Sequence, residues 1–395
     1  MSWFPSMLLR PHPGALIVLG SSALGGAAYR YGSSASSPDA SLNPHSFTAY
    51  TLIRKEKVSS TSAIFTLRNR ERGPDPDEVR DGWRRRVWSV QVKQPELQIA
   101  RAYTPLPSLG METGGSIPAS SIGGEGEDAE DAAPEDLRLL IRKENGGEVS
   151  TYLHTLPEQS TIHLRGPNTE CELPTEVKTV IFLAGGTGIA PAMQVAGVLA
   201  QRKGSRMRIL WANRRREECA GGVGDEERDR GGRGVFGPGL RDNGKGNGGE
   251  RWWKRLFWSE GDSRRDAVPE SDIQIHTQTR IHADTGVHPK NVIVRELEAL
   301  QHHTKLHSPT NSLSISYFVD EENQLIKPGD VARRLDIESR GTEGKGDKVI
   351  LVSGPDGFIE YWAGKKLWVG GREVQGPLGG VLGQMDLRGW RVFKL

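Results

Sequence analysis

The run Leu183-Ala184-Gly185-Gly186-Thr187-Gly188-Ile189-Ala190-Pro191 decides how this chain is read. A short apolar stretch, Val177 to Leu183, leads into it, and a helical pattern from Ala190 to Arg202 follows. Strand, glycine turn and helix in that order make a seat for a nucleotide phosphate. The glycines let the backbone approach the ligand, and the helix N-terminus turns free N–H groups toward it. The spacing is neither the G-x-G-x-x-G dinucleotide form nor a P-loop, since no Lys-Ser/Thr follows. A tight strand-to-helix turn without a ligand has the same local pattern, so the surrounding chain must discriminate.

Downstream, Met207–Ala212, Ile273–Thr277, Ser314–Val319 and Val349–Val352 have strand character, interleaved with helical patterns at Val292–Leu300 and Asp330–Leu335. That alternation predicts a mostly parallel sheet. Upstream the character differs. Phe47–Ile53, Ser62–Leu67, Val87–Val92 and Leu139–Arg142 are short β-rich runs separated by turn residues, the pattern of an antiparallel barrel. Stretches rich in Gly, Ser, Asp, Glu and Arg interrupt both halves, over 107–135 and 215–270, and read as disordered insertions. The second holds Trp252-Trp253 and Phe257-Trp258, read as part of a loosely tethered surface loop.

Two further motifs precede the glycine turn. Arg101-Ala102-Tyr103-Thr104-Pro105 ends a β-rich stretch. Its guanidinium can grip a diphosphate with two hydrogen bonds, its ring can lie on a flavin and its hydroxyl can reach a ring nitrogen. Gly147-Glu148-Val149-Ser150 opens a helix, with Ser150 read at the N-cap and free N–H groups suited to a pyrophosphate. Leu164-Arg165-Gly166-Pro167 follows.

In their order these residues resemble the ferredoxin–NADP reductase superfamily, and its cytochrome b5 reductase branch most closely. R-x-Y-T, G-x-x-S, R-G-P and G-G-T-G-I-x-P occur in sequence, and Val352-Ser353-Gly354-Pro355-Asp356-Gly357-Phe358 matches the family's C-G-P segment. The resemblance runs from about Phe47 to the C-terminus, apart from the insertions. It implies a two-domain chain of α+β and α/β class: an antiparallel FAD-binding β-barrel over 46–170, then a parallel-sheet nicotinamide-nucleotide-binding domain over 171–395.

By the same resemblance Arg101 binds the FAD phosphates, Tyr103 and Thr104 contact the flavin, and Gly147, Val149 and Ser150 hold the pyrophosphate. Gly185, Gly186, Thr187 and Gly188 shape the nicotinamide cleft, and Gly354 and Pro355 line the transfer site. Thr104 and Ser353 are the implied catalytic positions, although the family has cysteine where this chain has Ser353. The family's terminal aromatic is absent, which leaves Trp390 or Phe393 to shield the flavin.

The implied cofactors are FAD and NAD(P)H, with electrons passing to a one-electron acceptor. Arg214-Arg215-Arg216 followed by Glu217-Glu218 mixes the charge that welcomes a 2′-phosphate with the charge that rejects it, so weak discrimination between NADH and NADPH is expected. The ending Gly389 to Leu395, the Pro377–Gly383 run and Ser353 also look like the mitochondrial cytochrome c import factors. That likeness implies haem or apocytochrome c as acceptor and the inner mitochondrial membrane as site, with the body facing the intermembrane space. A cytochrome b5 reductase and a non-enzymatic FAD-binding assembly factor are the alternatives.

The N-terminus agrees with mitochondrial targeting. Residues 1–45 hold no acidic residue before Asp39, and an apolar run near Leu16–Tyr29 reads as a single short anchor or a cleaved presequence ahead of a Ser/Ala/Pro linker. A net charge of +2, from 52 basic and 50 acidic residues, gives no reason to invoke nucleic acid. Cys171 and Cys219, the two cysteines, form no zinc or disulfide pattern. No metal site is expected, and His302, His303 and His307 read as a solvated helix end.

Overall fold

A computed structural model describes residues 42–70, 85–107, 136–225, 290–340 and 348–395. Most of the N-terminal stretch read as a targeting segment, the bulk of both insertions, the four tryptophan and phenylalanine positions at 252–258 and the strand expected at Ile273–Thr277 lie outside them.

The first domain is a seven-stranded antiparallel sheet: β1 (Thr48–Lys57), β2 (Ser62–Asn69), β3 (Arg86–Gln94), β4 (Ile99–Tyr103), β5 (Pro105–Leu106), β6 (Leu137–Arg142) and β7 (Thr161–Glu172). Its order is β4-β3-β7-β1-β2-β6-β5. The two edge strands, β4 and β5, are joined in the chain by Thr104 alone, so the sheet must curl until its edges meet. The inward face buries Tyr50, Leu52, Trp88, Val90, Leu139 and Ile162. Helix α1 (Glu148–Thr155) lays Val149 and Leu153 on that core, and the Lys55 ammonium caps its C-terminal end through the His154 and Leu156 carbonyls, at 2.9 and 2.6 Å.

The second domain is a five-stranded parallel sheet of β8 (Thr179–Gly185), β9 (Arg206–Asn213), β10 (Ser312–Val319), β11 (Lys348–Ser353) and β14 (Trp390–Lys394), in the order β10-β9-β8-β11-β14. Every residue of β8 is buried, because helices cover both faces of the sheet. Val180, Phe182 and Ala184 face α2 (Ile189–Ala200) and α3 (Val292–His307), while Ile181 and Leu183 face α4 (Pro328–Arg340) and α5 (Asp356–Ala363). Between α5 and β14 a separate antiparallel hairpin forms from β12 (Leu367–Val369) and β13 (Arg372–Val374).

The two domains share one core. Ile64, Val87, Leu106 and Leu140 of the barrel pack into the cluster beneath α2 and α3. The architecture expected from the sequence is the one observed. The twelve-residue strand β7, which pairs with both β1 and β3, is the main element that the sequence reading passed over.

Candidate active-site cleft

In the parallel sheet the chain runs from β8 outward to β9 on one side, and β11 occupies the other side. The crevice at the C-terminal ends of β8 and β11 is therefore the switch point where such sheets bind nucleotides. The glycine turn stands there: β8 ends at Gly185, a 3₁₀ turn covers Gly186–Gly188 and α2 begins at Ile189. Ser353 ends β11, and Pro355 is the N-cap of α5.

These ends meet at backbone distance. A Cβ on Gly188 would lie 2.3 Å from the Ser353 carbonyl oxygen, and one on Gly354 would lie 3.0 Å from the Gly185 Cα. Gly186 adopts φ +54°, and a Cβ there would lie 3.2 Å from Nη2 of Arg142. The Trp211 indole fixes the turn by donating to the Gly186 carbonyl at 2.9 Å. Gly185, Gly186, Thr187, Gly188, Ser353, Gly354 and Pro355 thus form one constellation. Thr187 is half-buried and Ser353 buried.

The walls hold further groups, of which the motifs name only Arg214 and Phe358. Arg142, Arg214 and Asp320 supply charge, and Phe358, Tyr361 and Trp362 supply aromatic surface. Arg142, the last residue of β6, is buried and reaches across from the barrel to Glu218 Oε1 at 2.5 Å. Glu218 Oε2 accepts the Arg214 N–H at 3.0 Å. The Arg142 Nε is buried without a hydrogen-bond partner. Burial pushes the Asp320 carboxyl up to about 6; Arg214 and Arg142 oppose that rise and Glu218 adds to it.

The mixed-charge segment after β9 does not enter the cleft as a unit. Glu217 bonds Ser60 of the barrel, Glu218 bonds Arg142, and Arg216 pairs with Glu322. Of that segment only Arg214 lines the cleft. The described part of the stretch read as an insertion, 215–225, includes a 3₁₀ turn at Arg216–Cys219 in which Glu218 and Cys219 are buried.

The barrel residues form a second constellation. Arg101 and Tyr103 stand on β4 opposite Val92 and Val90. The Arg101 guanidinium is exposed and has no carboxylate partner among the described residues. Tyr103 packs against the barrel core, and burial pushes its hydroxyl up to about 12, with Arg101 opposing and Glu144 adding. Tyr103 therefore stands between Arg101 and Glu144 of the loop leading to α1. Thr104 occupies the seam between β4 and β5.

The N-cap of α1 is Gly147, not Ser150. Ser150 lies in the first turn, buried, where its hydroxyl donates to the Gly147 carbonyl at 3.1 Å and accepts the Glu144 N–H at 3.1 Å. It shapes the loop rather than capping the helix, because Gly147 already has extended backbone and a Cβ there would meet Ser150 Oγ at 2.6 Å.

Two features join the constellations: Arg142 beneath Gly186, and Gln194 of α2 bonded to Pro105 next to Thr104. No hydrogen bond connects Thr104 or Ser353 to another side chain among the described residues. Trp390 is not a flavin shield. It pairs with Lys348 at the N-terminal end of β11, the end away from Ser353, and its ring lies under the Lys348 ammonium. Phe393 is half-buried against the interdomain core, and Leu395 reaches the Val352 carbonyl through its N–H at 2.8 Å. His303 and His307 stack edge to face at 4.3 Å on α3, and no metal-ligand cluster occurs among the described residues.

No family model matches the chain. It is 28% identical over 190 residues to an uncharacterized FAD-binding protein of Schizosaccharomyces pombe, covering 48% of this chain and 58% of the relative. Identity to the cytochrome c mitochondrial import factor of Saccharomyces cerevisiae is 38% over 95 residues, 23% of this chain and 24% of that one. An NADH-cytochrome b5 reductase of Debaryomyces hansenii is 29% identical over 79 residues, 20% of this chain and 23% of the relative. In each case the match spans less than two thirds of the relative. Among solved structures, the cytochrome b5 reductase domain of Ulva prolifera nitrate reductase superposes with a TM-score of 0.42 at 15% identity, over 81% of this chain and 91% of that one. That superposition is too loose to add to the topology given above. The chain is a homologue of FAD-binding reductases of the ferredoxin–NADP reductase superfamily and its cytochrome b5 reductase branch, a group whose cofactors are FAD and a nicotinamide nucleotide.

Proposed function

We propose that this chain is a flavoprotein oxidoreductase that draws electrons from NADH or NADPH and passes them through FAD to a haem protein. The observation that carries this reading is the approach of Gly185–Gly188 to Ser353–Pro355 at the sheet switch point, with the barrel's Arg142 set beneath the turn.

The residues fit both cofactors. The exposed Arg101 guanidinium is free of carboxylates among the described residues and suits a diphosphate. The first-turn N–H groups of α1, at Glu148, Val149 and Ser150, have no intrahelical partners and add the positive end of a helix dipole. Tyr103 offers a half-buried ring face and Thr104 a hydroxyl at the seam. In the second domain the glycine turn admits a nucleotide backbone to backbone, and the orphaned Nε of Arg142 is a buried cationic donor in the cleft wall. The aromatic wall of Phe358 and Tyr361 keeps water from one side. Ser353, buried at the end of β11, positions the nicotinamide from the other. When bound, FAD supplies the two-electron uptake and one-electron release that none of these side chains can perform.

The acceptor in this reading is cytochrome c or its haem during maturation, at the inner mitochondrial membrane with the body in the intermembrane space. The similarity to the yeast import factor and the acid-poor N-terminus support it. No helix among the described residues is long and apolar enough to cross a membrane. The test is the absorption spectrum of the purified chain with and without NADH, followed by addition of cytochrome c or cytochrome b5. A flavin spectrum that bleaches with NADH and recovers on adding cytochrome c is the expected result. Recovery with cytochrome b5 alone transfers the chain to the b5 reductase reading, and FAD that never bleaches makes it a non-enzymatic assembly factor. Carbonate extraction and protease protection of mitochondria, before and after outer-membrane rupture, test the location.

A further inference from the structure

The hairpin of β12 and β13 takes no part in the cleft. Its sequence is Lys365-Lys366-Leu367-Trp368-Val369-Gly370-Gly371-Arg372-Glu373-Val374. Gly370 and Gly371 both have positive φ, at 60° and 76°, which gives the tight two-residue turn whose twist suits a hairpin. The register pairs Leu367 with Val374 and Trp368 with Glu373. Neither of its strands pairs with a strand of the large sheets.

Its apolar side chains face water. Trp368 is 73% exposed, Val369 56%, Leu367 46% and Val374 36%, and the adjoining Leu378 is 47% exposed. Scattered apolar exposure is ordinary, but a run of neighbours on one projecting element marks a contact surface. Strand alternation sends Leu367 and Val369 to one face and Trp368 to the other. A protein partner docked on a strand covers one face, whereas a fluid apolar medium wets both.

The base of the hairpin is clamped. The Lys394 ammonium donates to the carbonyls of Lys365 and Pro377, on the two flanks, at 2.8 Å each. Gln375 exchanges two hydrogen bonds with the Lys394 backbone, at 2.9 and 2.8 Å. The projection is therefore preorganised. Over Lys365–Val374 three cations stand against one carboxylate, and the Lys365 side chain is 70% exposed. The pair of Lys365 with Glu360 lies at the surface, where such pairs hold their partners weakly, whereas Lys366 is largely covered and bonded to Glu373.

We propose that this hairpin is a membrane-surface contact, its Trp368 and aliphatic residues entering the headgroup layer of an anionic bilayer while Lys365 at its base meets the lipid phosphates. Tryptophan favours that boundary because its ring is apolar and its N–H is polar. The contact is separate from the cofactor cleft and does not depend on the function proposed above.

The full-length chain allows a direct test, since its two cysteines, Cys171 and Cys219, are both buried. An environment-sensitive fluorophore is placed in turn at Trp368→Cys, at Val369→Cys and, as a control, at the exposed Lys203→Cys. Each labelled protein is mixed with phosphatidylcholine vesicles with and without an anionic phospholipid. The expected result is blue-shifted emission and roughly tenfold slower aqueous quenching at both 368 and 369 on anionic vesicles, with no change at 203. Using the full chain with local probes separates hairpin insertion from any attachment through the N-terminal segment. Labels at 368 and 369 that stay as quenchable on vesicles as in solution overturn the proposal. So does shielding of one face only, with soluble cytochrome c or at high protein concentration, which would make the hairpin a protein-docking or self-association surface.

Discussion

The side-chain amide of Gln194 pairs with the main chain of Trp88 as a neighbouring strand residue would. Its Oε1 accepts the Trp88 N–H at 3.0 Å, and its Nε2 donates to the Trp88 carbonyl at 3.2 Å and to the Pro105 carbonyl at 2.8 Å. Gln194 belongs to the helix that the glycine turn starts, whereas Trp88 and Pro105 belong to the barrel, and Pro105 follows Thr104. One buried side chain thus sets the glycine turn relative to the barrel seam at Thr104. Gln194→Leu leaves one N–H and two carbonyls without this partner and is expected to cost roughly 3 kcal/mol in urea unfolding. Gln194→Glu keeps the acceptor but sets a buried carboxylate against the two carbonyls, so at neutral pH it should cost at least as much as Leu and recover in acid, where the carboxyl can donate.

Arg101→Ala removes the exposed guanidinium without disturbing the β4–β3 register. FAD binding should weaken by roughly 2–4 kcal/mol, because a diphosphate loses its charge-assisted partner. A fluorescence titration of apoprotein with FAD measures this, and unfolding of the flavin-free proteins should be indistinguishable. A variant that binds FAD as well as wild type would remove Arg101 from the site.

The Arg142–Glu218 pair is buried, so its two ends cannot be removed singly at small cost. Arg142→Leu leaves the Glu218 carboxylate with the Arg214 N–H and without its cation, and should cost about 3–5 kcal/mol. The double variant Arg142→Leu/Glu218→Leu should recover most of that stability while KM for the nicotinamide nucleotide stays raised. Chemical denaturation beside steady-state kinetics separates the two effects. Recovery of both would reduce Arg142 to a structural role.

Asp320 makes the cleft sensitive to pH. Its carboxyl titrates at about 6 in the folded chain against an ordinary 3.8, so the folded state holds the proton more tightly than the unfolded state. The resulting contribution to stability is fully present below the ordinary value and is lost as pH rises through about 6. Asp320→Asn should therefore gain stability relative to wild type as pH increases across that window. Above it the charged carboxylate can accept a ribose hydroxyl, while Arg214 on the same wall can meet a 2′-phosphate. NADH and NADPH should both be used, with kcat/KM differing by less than a hundredfold, about 2.7 kcal/mol. The replacement should move the balance toward NADPH and remove the inflection in KM for NADH near pH 6.

The order of the elements was legible because it rests on local patterns. Alternation marks the barrel strands, and continuous apolar runs around Gly185 and Val352 mark strands covered on both faces. The glycine turn was legible because glycine is the only residue that a 2.3 Å approach to the Ser353 carbonyl permits. Arg142, Glu218 and Asp320 were not, since they end or follow three different strands and come together only when barrel and sheet pack. Glu217 and Glu218 looked like nucleotide selectors because their sign is visible in sequence, whereas their engagement with Ser60 and Arg142 is not. Ser150 was misplaced at the helix cap for a related reason. Serine is favoured there in general, but here an extended glycine precedes the helix and the hydroxyl turns back to the loop. The hairpin at 367–374 carries a legible Gly-Gly turn, but that no described element covers it is a property of the fold.

The contact between Gly354 and Gly185 has a bearing on how this site can change over time. A side chain at either position would collide with the other strand or with Phe358, and a compensating change would have to move a strand within a sheet buried on both faces. The floor of the cleft is therefore closed to variation by single substitutions. Shifts in nucleotide preference or in rate must arise in the walls, at Arg214, Asp320, Phe358 or Tyr361, where a side chain can be exchanged while the backbone stays still. A saturation library confined to those four positions should yield folded variants with altered kinetics, whereas one confined to Gly185, Gly188 and Gly354 should return almost nothing but parent.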